Sequence, residues 1–169
     1  LPKQGVTYET LKKYIPEFQA RGKKVFLSVG GGNGPVVYDT YNHDTFINTV
    51  GQSFINMIND LKVDGIDHDL EHRSGDLHEC GQAILKLFSK IKTAIPDIFI
   101  ACAPQIPNID YTQSSVSPGH NEYAPILGGD VSYNGSQIKG IQLFDLVQPQ
   151  FYNDDAISMT VTYQTNFIN

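Results

Sequence analysis

The chain has 169 residues, of which 40% are hydrophobic and 18% charged, which is enough for one buried core and too little for two ordinary domains. Its formal net charge of −6 supplies no basic stripe for phosphate groups, so we do not expect DNA or RNA as a partner. No apolar run approaches the roughly 18 residues of a membrane span, and we therefore expect one soluble globular domain over residues 1–169, with no membrane partner.

The first segment in chain order predicts a helix. The opening residues, LPKQGVTYET, match neither a signal peptide nor an ordinary initiation site, so the start is expected to be processed or truncated. Residues 8–21 then place apolar side chains at near-helical spacing, with Pro16 inside the segment and Gly22 as a stop. A helix followed by a turn is therefore expected.

Strands and helices then alternate along the chain. The apolar, β-branched run KKVFLSVGGGNG (23–34) predicts a strand, and the helical spacing of apolar residues predicts a helix over 45–61. The pattern repeats with a strand in VDGIDHDLE (63–71), a helix over 77–95 and a strand in DIFIACAPQ (97–105). Strands that alternate with helices indicate parallel pairing in an α/β fold with both sheet faces covered.

The last third of the chain is less regular. Residues 106–140 are rich in Pro, Gly and Ser and are expected to form a loop with a short helix, before FDLVQPQFYND (144–154) supplies a fourth strand. Pro149 removes a hydrogen-bond donor from that strand, which predicts a bulge or a sheet edge. Asn134-Gly135-Ser136 is a glycosylation sequon, which matters only if the chain is secreted.

Two parallel architectures fit this order: an open doubly wound sheet or a TIM (β/α)8 barrel. In a barrel, functional groups collect at the carboxyl ends of the strands. Polar residues and glycines end all four predicted strands: Ser28 and Gly30, Glu71, Gln105, and Tyr152 with Asn153. A dinucleotide-binding sheet needs a G-x-G-x-x-G turn and a downstream acid, which GGGNGPVV does not provide. The sequence therefore favours the barrel.

Three acids crowd the strand VDGIDHDLE. Asp67, Asp69 and Glu71 stand at alternate positions and share one face, while the residues between them share the other. Neighbouring acids then have Cα atoms roughly 6.6 Å apart, so three charged carboxylates in a lumen with little water would repel one another. At least one is expected to keep a proton near neutral pH. A protonated carboxyl at the rim suits a general acid, and Glu71 is the outermost.

These segments resemble the family 18 glycoside hydrolases. Residues 28–31 resemble the S-x-G-G segment of that family, and residues 64–71 match its D-G-x-D-x-D-x-E strand completely. Residues 103–105 and 150–154 resemble its later strands, in the branch closer to plant and bacterial chitinases. The resemblance implies a TIM barrel of which about strands three to six are present, and an extracellular glycosidase acting on β-1,4-linked N-acetylglucosamine polymers such as chitin.

The resemblance also implies a mechanism in which the substrate assists. The 2-acetamido oxygen would attack its own anomeric carbon while Glu71 protonates the leaving oxygen and then activates water. Asp69 would bind the acetamido N–H, Asp67 would share a proton with Asp69, and Tyr152 would hydrogen-bond the acetamido oxygen. Residues expected to line the sugar site, or to brace the acids and Tyr152, are Ser28, Gly30, Gly31, Gln105, Gln150 and Asn153. No cofactor and no metal is implied.

Several alternatives remain open at this point. The acids could form a solvated face of an edge strand. A calcium loop fails because its sixth position needs Gly and has His72, but His68, His72 and His78 could bind a transition metal. The scaffold could also be a non-catalytic carbohydrate-binding or inhibitor relative, although such relatives commonly lack the acid found here at Glu71. Cys80 and Cys102 match no disulfide framework or zinc spacing and are expected to be buried thiols.

Overall fold

The computed structural model describes residues 7–31, 36–37, 44–70, 73–74, 77–104 and 123–150. Both helices and strands occur throughout this part of the chain. In chain order they are α1 (Tyr8–Gln19), β1 (Phe26–Gly30), β2 (Val36–Val37), α2 (Asp44–Leu61), β3 (Gly65–Asp69), β4 (Arg73–Ser74), α3 (Leu77–Ala94), β5 (Phe99–Cys102), α4 (Ala124–Gly128), β6 (Asp130–Tyr133), β7 (Ser136–Lys139), a 3-10 helix (Gly140–Leu143) and β8 (Leu146–Val147). The predicted long helices and the four predicted strands are confirmed.

Four of the strands form one parallel sheet in the order β1-β3-β5-β8. The register aligns Ser28 of β1 with Asp67 of β3, and Asp67 with Ala101 of β5. Parallel neighbours bring the carboxyl ends of all four strands to the same edge of the sheet. Within the described residues the sheet stays open, which agrees with the expectation that only part of a barrel is present.

The hydrophobic core lies on one face of this sheet. Helices α2 and α3 pack against each other and share a core with the inner strands β3 and β5. Each fully buried Ile or Leu stabilises the fold by about 1.5 to 3 kcal/mol relative to an exposed one. The most deeply buried of these side chains are Ile66, Leu70, Ile84, Leu85, Ile91 and Ile100. In the part of the chain described here, none of the helices is long and apolar enough to cross a lipid bilayer.

Helix α1 begins and ends through local hydrogen bonds. The side chain of Thr7 caps its first turn by accepting from the Thr10 N–H over 3.1 Å. Pro16 lies inside the helix, which continues to Gln19. Gly22 then adopts a φ of +72°, and the Lys23 N–H donates back to the Phe18 carbonyl over 3.1 Å. This is the Schellman arrangement, so the predicted glycine stop is confirmed.

The prediction of a loop with a short helix over 106–140 is wrong in its last part. The short helix is α4, but β6 and β7 follow it as an antiparallel hairpin. Asn134 and Gly135 close the hairpin with φ angles of +49° and +79°. Asn-Gly favours the two-residue turn with positive φ at both positions, and Val131 pairs across it with Ile138. The hairpin signal is therefore present in the sequence, on residues that also form the sequon.

Strand β8 ends the described sheet and tolerates a proline. The Gln148 N–H donates to the Cys102 carbonyl, and the Gln150 N–H donates to the Pro104 carbonyl, both over 2.8 Å. The backbone N–H groups of Gln148 and Gln150 thus point toward β5. Pro149, between them, has no N–H, but an N–H at this position would point away from β5, so no hydrogen bond between the two strands is lost. The predicted sheet edge at Pro149 is confirmed for the strands described.

Asp64 ties the amino-terminal ends of β1 and β3 together. Its carboxylate accepts hydrogen bonds from Lys24 Nζ over 2.8 Å, and from Gln19 Nε2 and the Val25 N–H over 3.0 Å each. The hydrogen bond from Lys24 is the largest cause that lowers the pKa of this carboxyl, from 3.8 to about 2. Asp64 therefore stabilises the fold by joining the starts of these two strands.

Asp145 does the same between β5 and β8. Its carboxylate accepts from Lys92 Nζ over 2.6 Å and from the Ile100 N–H over 2.8 Å. Its own N–H donates to the Ile100 carbonyl over 2.7 Å. Both lysine-paired acids thus lie where strands begin, at the end of the sheet opposite the crowded acids of β3.

Replacing Asp64 with asparagine is expected to lower the free energy of unfolding by about 2 kcal/mol at pH 7. Because the folded-state pKa falls from 3.8 to about 2, this stabilisation is fully present above about pH 4 and is lost as the pH falls from about 4 to 2. Denaturant unfolding of both proteins between pH 7 and pH 2 measures the difference. Asp97→Asn, at an exposed carboxyl just before β5, is the control. A deficit that does not change with pH would contradict an ionic origin.

Candidate active site

The face of β3 that points away from the helices carries Asp67 and Asp69. Both are half-buried, whereas Ile66, His68 and Leu70 on the other face are 0%, 4% and 1% exposed. The predicted alternation is confirmed for these five residues. Strand β3 has β1 on one side and β5 on the other, so the alternative of a solvated edge strand is wrong.

Ser28 lies beside Asp67 in the register of β1 and β3. Its hydroxyl donates to Oδ2 of Asp67 over 2.8 Å, which is the bracing contact considered for this serine. The other oxygen, Oδ1, is buried and has no hydrogen-bond partner among the described residues. A buried carboxyl oxygen without a partner is unfavourable, so Oδ1 is the atom of this group that could accept a further hydrogen bond.

Gln150 holds Asp69 from the last strand of the sheet. Its Nε2 donates to Oδ1 of Asp69 over 2.8 Å and to the Ala103 carbonyl over 2.7 Å. The Ala103 carbonyl can only accept, so the amide nitrogen must face it, and both N–H groups of the amide are then used. Oδ1 of Asp69 is therefore an acceptor. Direct binding of sugar by Gln150 stays a prediction.

Two glycines let the end of β1 approach the end of β3. The Gly31 N–H donates to the Asp69 carbonyl over 2.7 Å. Gly30 has a φ of +117°, and a Cβ there would overlap the same carbonyl oxygen. The sequence requires glycine at position 30 because of this neighbouring strand. A contact of Gly30 or Gly31 with substrate remains a prediction.

The core-facing side of β3 and of its neighbour β5 is apolar, and His68 and Cys102 are buried titratable residues there. The His68 ring lies edge-on to Phe88, with ring centroids 5.3 Å apart, and burial lowers its pKa to about 4, which keeps it neutral. Cys102 is a buried free thiol whose pKa burial and, to a lesser extent, Asp67 raise to about 12. No group of three potential metal ligands occurs among the residues that the structure describes.

Tyr123 is a residue of this region that sequence reasoning missed. Its hydroxyl donates to the His68 carbonyl over 2.7 Å and accepts from the Leu70 N–H over 2.9 Å. It precedes α4, in the segment predicted to be a loop with a short helix. No motif or periodicity points to Tyr123, because its partners are more than 50 residues away in the chain.

Some predicted residues lie outside the described part of the chain: Glu71, Gln105, Tyr152, Asn153, His72 and the side chains of His78 and Cys80. Their assigned roles stay predictions. Strand β4, which follows β3 in the chain, pairs with β2 in parallel through Val36 and Arg73. The segments that follow β1 and β3 are thus neighbours again beyond the carboxyl ends of the strands.

Comparisons with known proteins show which proteins this chain is similar to. An acidic endochitinase of Cicer arietinum is 28% identical over 168 residues, which cover 93% of this chain and 47% of that protein. A GH18 chitinase from Pseudoalteromonas aurantia matches with a TM-score of 0.68 and 22% identity, over 95% of this chain and 56% of that one. A family 18 chitinase from Crocus vernus matches with a TM-score of 0.71 and 19% identity, over 99% and 55%. No family model matches the chain.

These comparisons establish the fold and the resemblance. The structural neighbours show that the open parallel sheet is part of a TIM barrel, as predicted. The Cicer arietinum relative confirms the predicted resemblance to plant-type family 18 chitinases. The chain spans about half the length of that relative.

Proposed function

We propose that this chain carries the catalytic acids of an extracellular glycosidase that hydrolyses β-1,4-linked N-acetylglucosamine polymers such as chitin. One observation carries the proposal: Asp67 and Asp69 lie in line on an inner parallel strand, each held from another strand, with Glu71 as the next alternate residue. The similar proteins are chitinases by name, which supports the same substrate class. The extracellular location is inferred from that substrate alone.

Carboxylates at the two ends of the sheet have different donors. Where the strands begin, Asp64 and Asp145 each bind a lysine. Where the strands end, the donors described above for Asp67 and Asp69 are a serine hydroxyl and a glutamine amide, which are neutral. Two carboxyls that share one face of β3 at this edge suit the stabilisation of positive charge that develops on a substrate.

The reaction would proceed with the substrate's own acetamido group as nucleophile. Its carbonyl oxygen forms a bond to the anomeric carbon as the glycosidic bond breaks, and Glu71 gives its proton to the leaving oxygen. An oxazolinium ion results, with its N–H bound by Asp69 and its oxygen side held by Tyr152. Water then attacks the anomeric carbon and gives a proton to Glu71, while the bond from that carbon to the acetamido oxygen breaks and the acetamido group is restored. Two displacements at the same carbon retain the anomeric configuration overall.

The contacts of Asp69 suit this role. Gln150 orients the carboxyl of Asp69 through Oδ1, and this carboxyl would accept the acetamido N–H and share a proton with Asp67. On Asp67 that proton would lie on Oδ1, because Ser28 donates to Oδ2. The two acids would share one proton before the glycosidic bond breaks. As the oxazolinium ion forms, Asp67 would keep that proton, so that Asp69 is negatively charged beside the positive ion.

The proposal is tested with N-acetylglucosamine oligomers and the matching deacetylated glucosamine oligomers. We expect cleavage of the acetylated series, with the β anomer as first product by NMR, and a rate at least roughly a hundredfold lower for the deacetylated series, which lacks the intramolecular nucleophile. An α anomer as first product, or equal cleavage of both series, would contradict the mechanism. Oligomer binding without cleavage would favour the non-catalytic carbohydrate-binding relative.

A further inference from the structure

The peptide unit between Asp69 and Leu70 is held at both of its ends. Its carbonyl, on Asp69, accepts from the Gly31 N–H over 2.7 Å. Its N–H, on Leu70, donates to the Tyr123 hydroxyl over 2.9 Å. Glu71 follows directly in the chain. The peptide plane that follows Asp69 is therefore fixed by contacts from two other segments of the chain.

Tyr123 takes the place of a missing rung in the sheet. The Ala103 N–H donates to the His68 carbonyl over 3.1 Å, and the next rung of a parallel ladder would pair the Leu70 N–H with the Ala103 carbonyl. That carbonyl instead accepts from the Gln150 amide over 2.7 Å. The Tyr123 hydroxyl accepts the hydrogen bond of the Leu70 N–H in place of that carbonyl. It also donates its own proton to the His68 carbonyl over 2.7 Å.

The position of this hydroxyl is fixed by burial. Tyr123 is 0% exposed, and its ring lies edge-on to His68 with centroids 5.8 Å apart. Burial raises the pKa of Tyr123 well above its ordinary value, so the O–H group stays intact and can donate and accept at once. His68 and Leu70, which it binds, face away from Asp67 and Asp69. The hydroxyl therefore acts on the site through the backbone and not by touching substrate.

We propose that Tyr123 is a positioning residue: its hydroxyl, with the Gly31 N–H, fixes the peptide between Asp69 and Leu70, through which the chain continues to Glu71, and so supports the action of both acids in the proposed reaction. The inference rests on the proposed function, since it assigns Tyr123 to the same site. Gln150 and Tyr123 thus hold different parts of the chain at this edge of the sheet. The Gln150 amide binds Asp69 and also occupies the Ala103 carbonyl, which would otherwise accept from the Leu70 N–H. The Tyr123 hydroxyl accepts from that N–H instead and so holds the chain before Glu71.

The test compares Tyr123→Phe with Tyr133→Phe in the full chain. Tyr133 is a partly buried tyrosine of β6 that packs against the same core, so its variant controls for loss of a hydroxyl. Three readouts are measured: kcat and KM on N-acetylglucosamine oligomers, the 13C NMR titration of the Glu71 carboxyl, and hydrogen exchange at the Leu70 amide. For Tyr123→Phe we expect kcat to fall roughly tenfold or more with KM little changed. The Glu71 titration should shift, and the Leu70 amide should exchange roughly tenfold faster than before.

Each outcome decides the proposal. Tyr133→Phe should leave all three readouts unchanged, and so should the exchange of the Ile66 amide in Tyr123→Phe. Unchanged kcat together with an unchanged Glu71 titration overturns the proposal, and so does faster exchange along all of β3, which would indicate a general structural role. If the unaltered protein does not cleave the oligomers, the proposed function fails. The Glu71 titration, which needs no turnover, then supports the role of Tyr123 if only Tyr123→Phe shifts it, and overturns it otherwise.

Discussion

Replacing Glu71 with glutamine is expected to lower the turnover of N-acetylglucosamine oligomers by about 10³-fold, since a positioned general acid–base contributes about 10² to 10⁴. Glutamine keeps the size of the side chain but can neither give a proton to the leaving oxygen nor take one from water. Binding should persist, because the acetamido group is expected to contact Asp69 and Tyr152. Steady-state rates and calorimetric affinities for the same oligomers measure the two effects separately.

Glu17→Gln is the matched control for this substitution. Glu17 is exposed on α1, so its variant makes the same chemical change away from the sheet edge and should leave turnover and affinity unaltered. Unchanged turnover in Glu71→Gln would remove Glu71 from the mechanism. Loss of affinity in parallel with turnover would instead mean that the residue shapes the sugar site and does not transfer the proton.

The elements that depend on local pattern could be predicted from the sequence. Helices α2 (Asp44–Leu61) and α3 (Leu77–Ala94) carry apolar residues at helical spacing over five turns, which few other structures can satisfy. The alternation of β3 places Asp67 and Asp69 on one face whatever strands lie beside them. The polar ends of four strands predicted the common edge, because parallel strands must end together.

Contacts between distant segments could not be predicted in this way. Gln150 reaches Asp69 across 81 residues, and Tyr123 reaches Leu70 across 53, so both depend on the strand order β1-β3-β5-β8 and on register. Neither residue carries a local signature of its partner. A glutamine on the lumen side can hold sugar or acid, and only the neighbouring Ala103 carbonyl decides which atoms face Asp69.

The hairpin of β6 and β7 was not predicted, for a different reason. Its turn signal, Asn134-Gly135, is local, but the Gly, Pro and Ser content of the surrounding segment is typical of a loop. Val131 and Ile138 still pair across the turn, because the burial of Val131 in the core stabilises the extended conformation. Tertiary packing here outweighs the average composition of the segment.

Replacing Gly30 with alanine is expected to lower the free energy of unfolding by about 3 kcal/mol or more. At a φ of +117° a side chain is strained, and its Cβ would overlap the carbonyl oxygen of Asp69. That carbonyl cannot move without losing its 2.7 Å hydrogen bond from the Gly31 N–H. Relief would require β1 and β3 to separate at the edge where the acids lie. Activity should therefore fall further than the lost stability explains, when measured at a temperature at which the variant remains folded.

Gly22→Ala separates backbone strain from this close approach. Gly22 also has a positive φ, +72°, but a Cβ there would meet no atom within 4 Å. Its alanine variant should lose only the strain of a left-handed residue, about 1 kcal/mol, and keep full activity. Denaturant unfolding of both variants gives the two losses, and their difference measures the contact between Gly30 and the Asp69 carbonyl. If the two losses are equal, strain alone accounts for both, and the fit of β1 against β3 does not hold Asp69 in place.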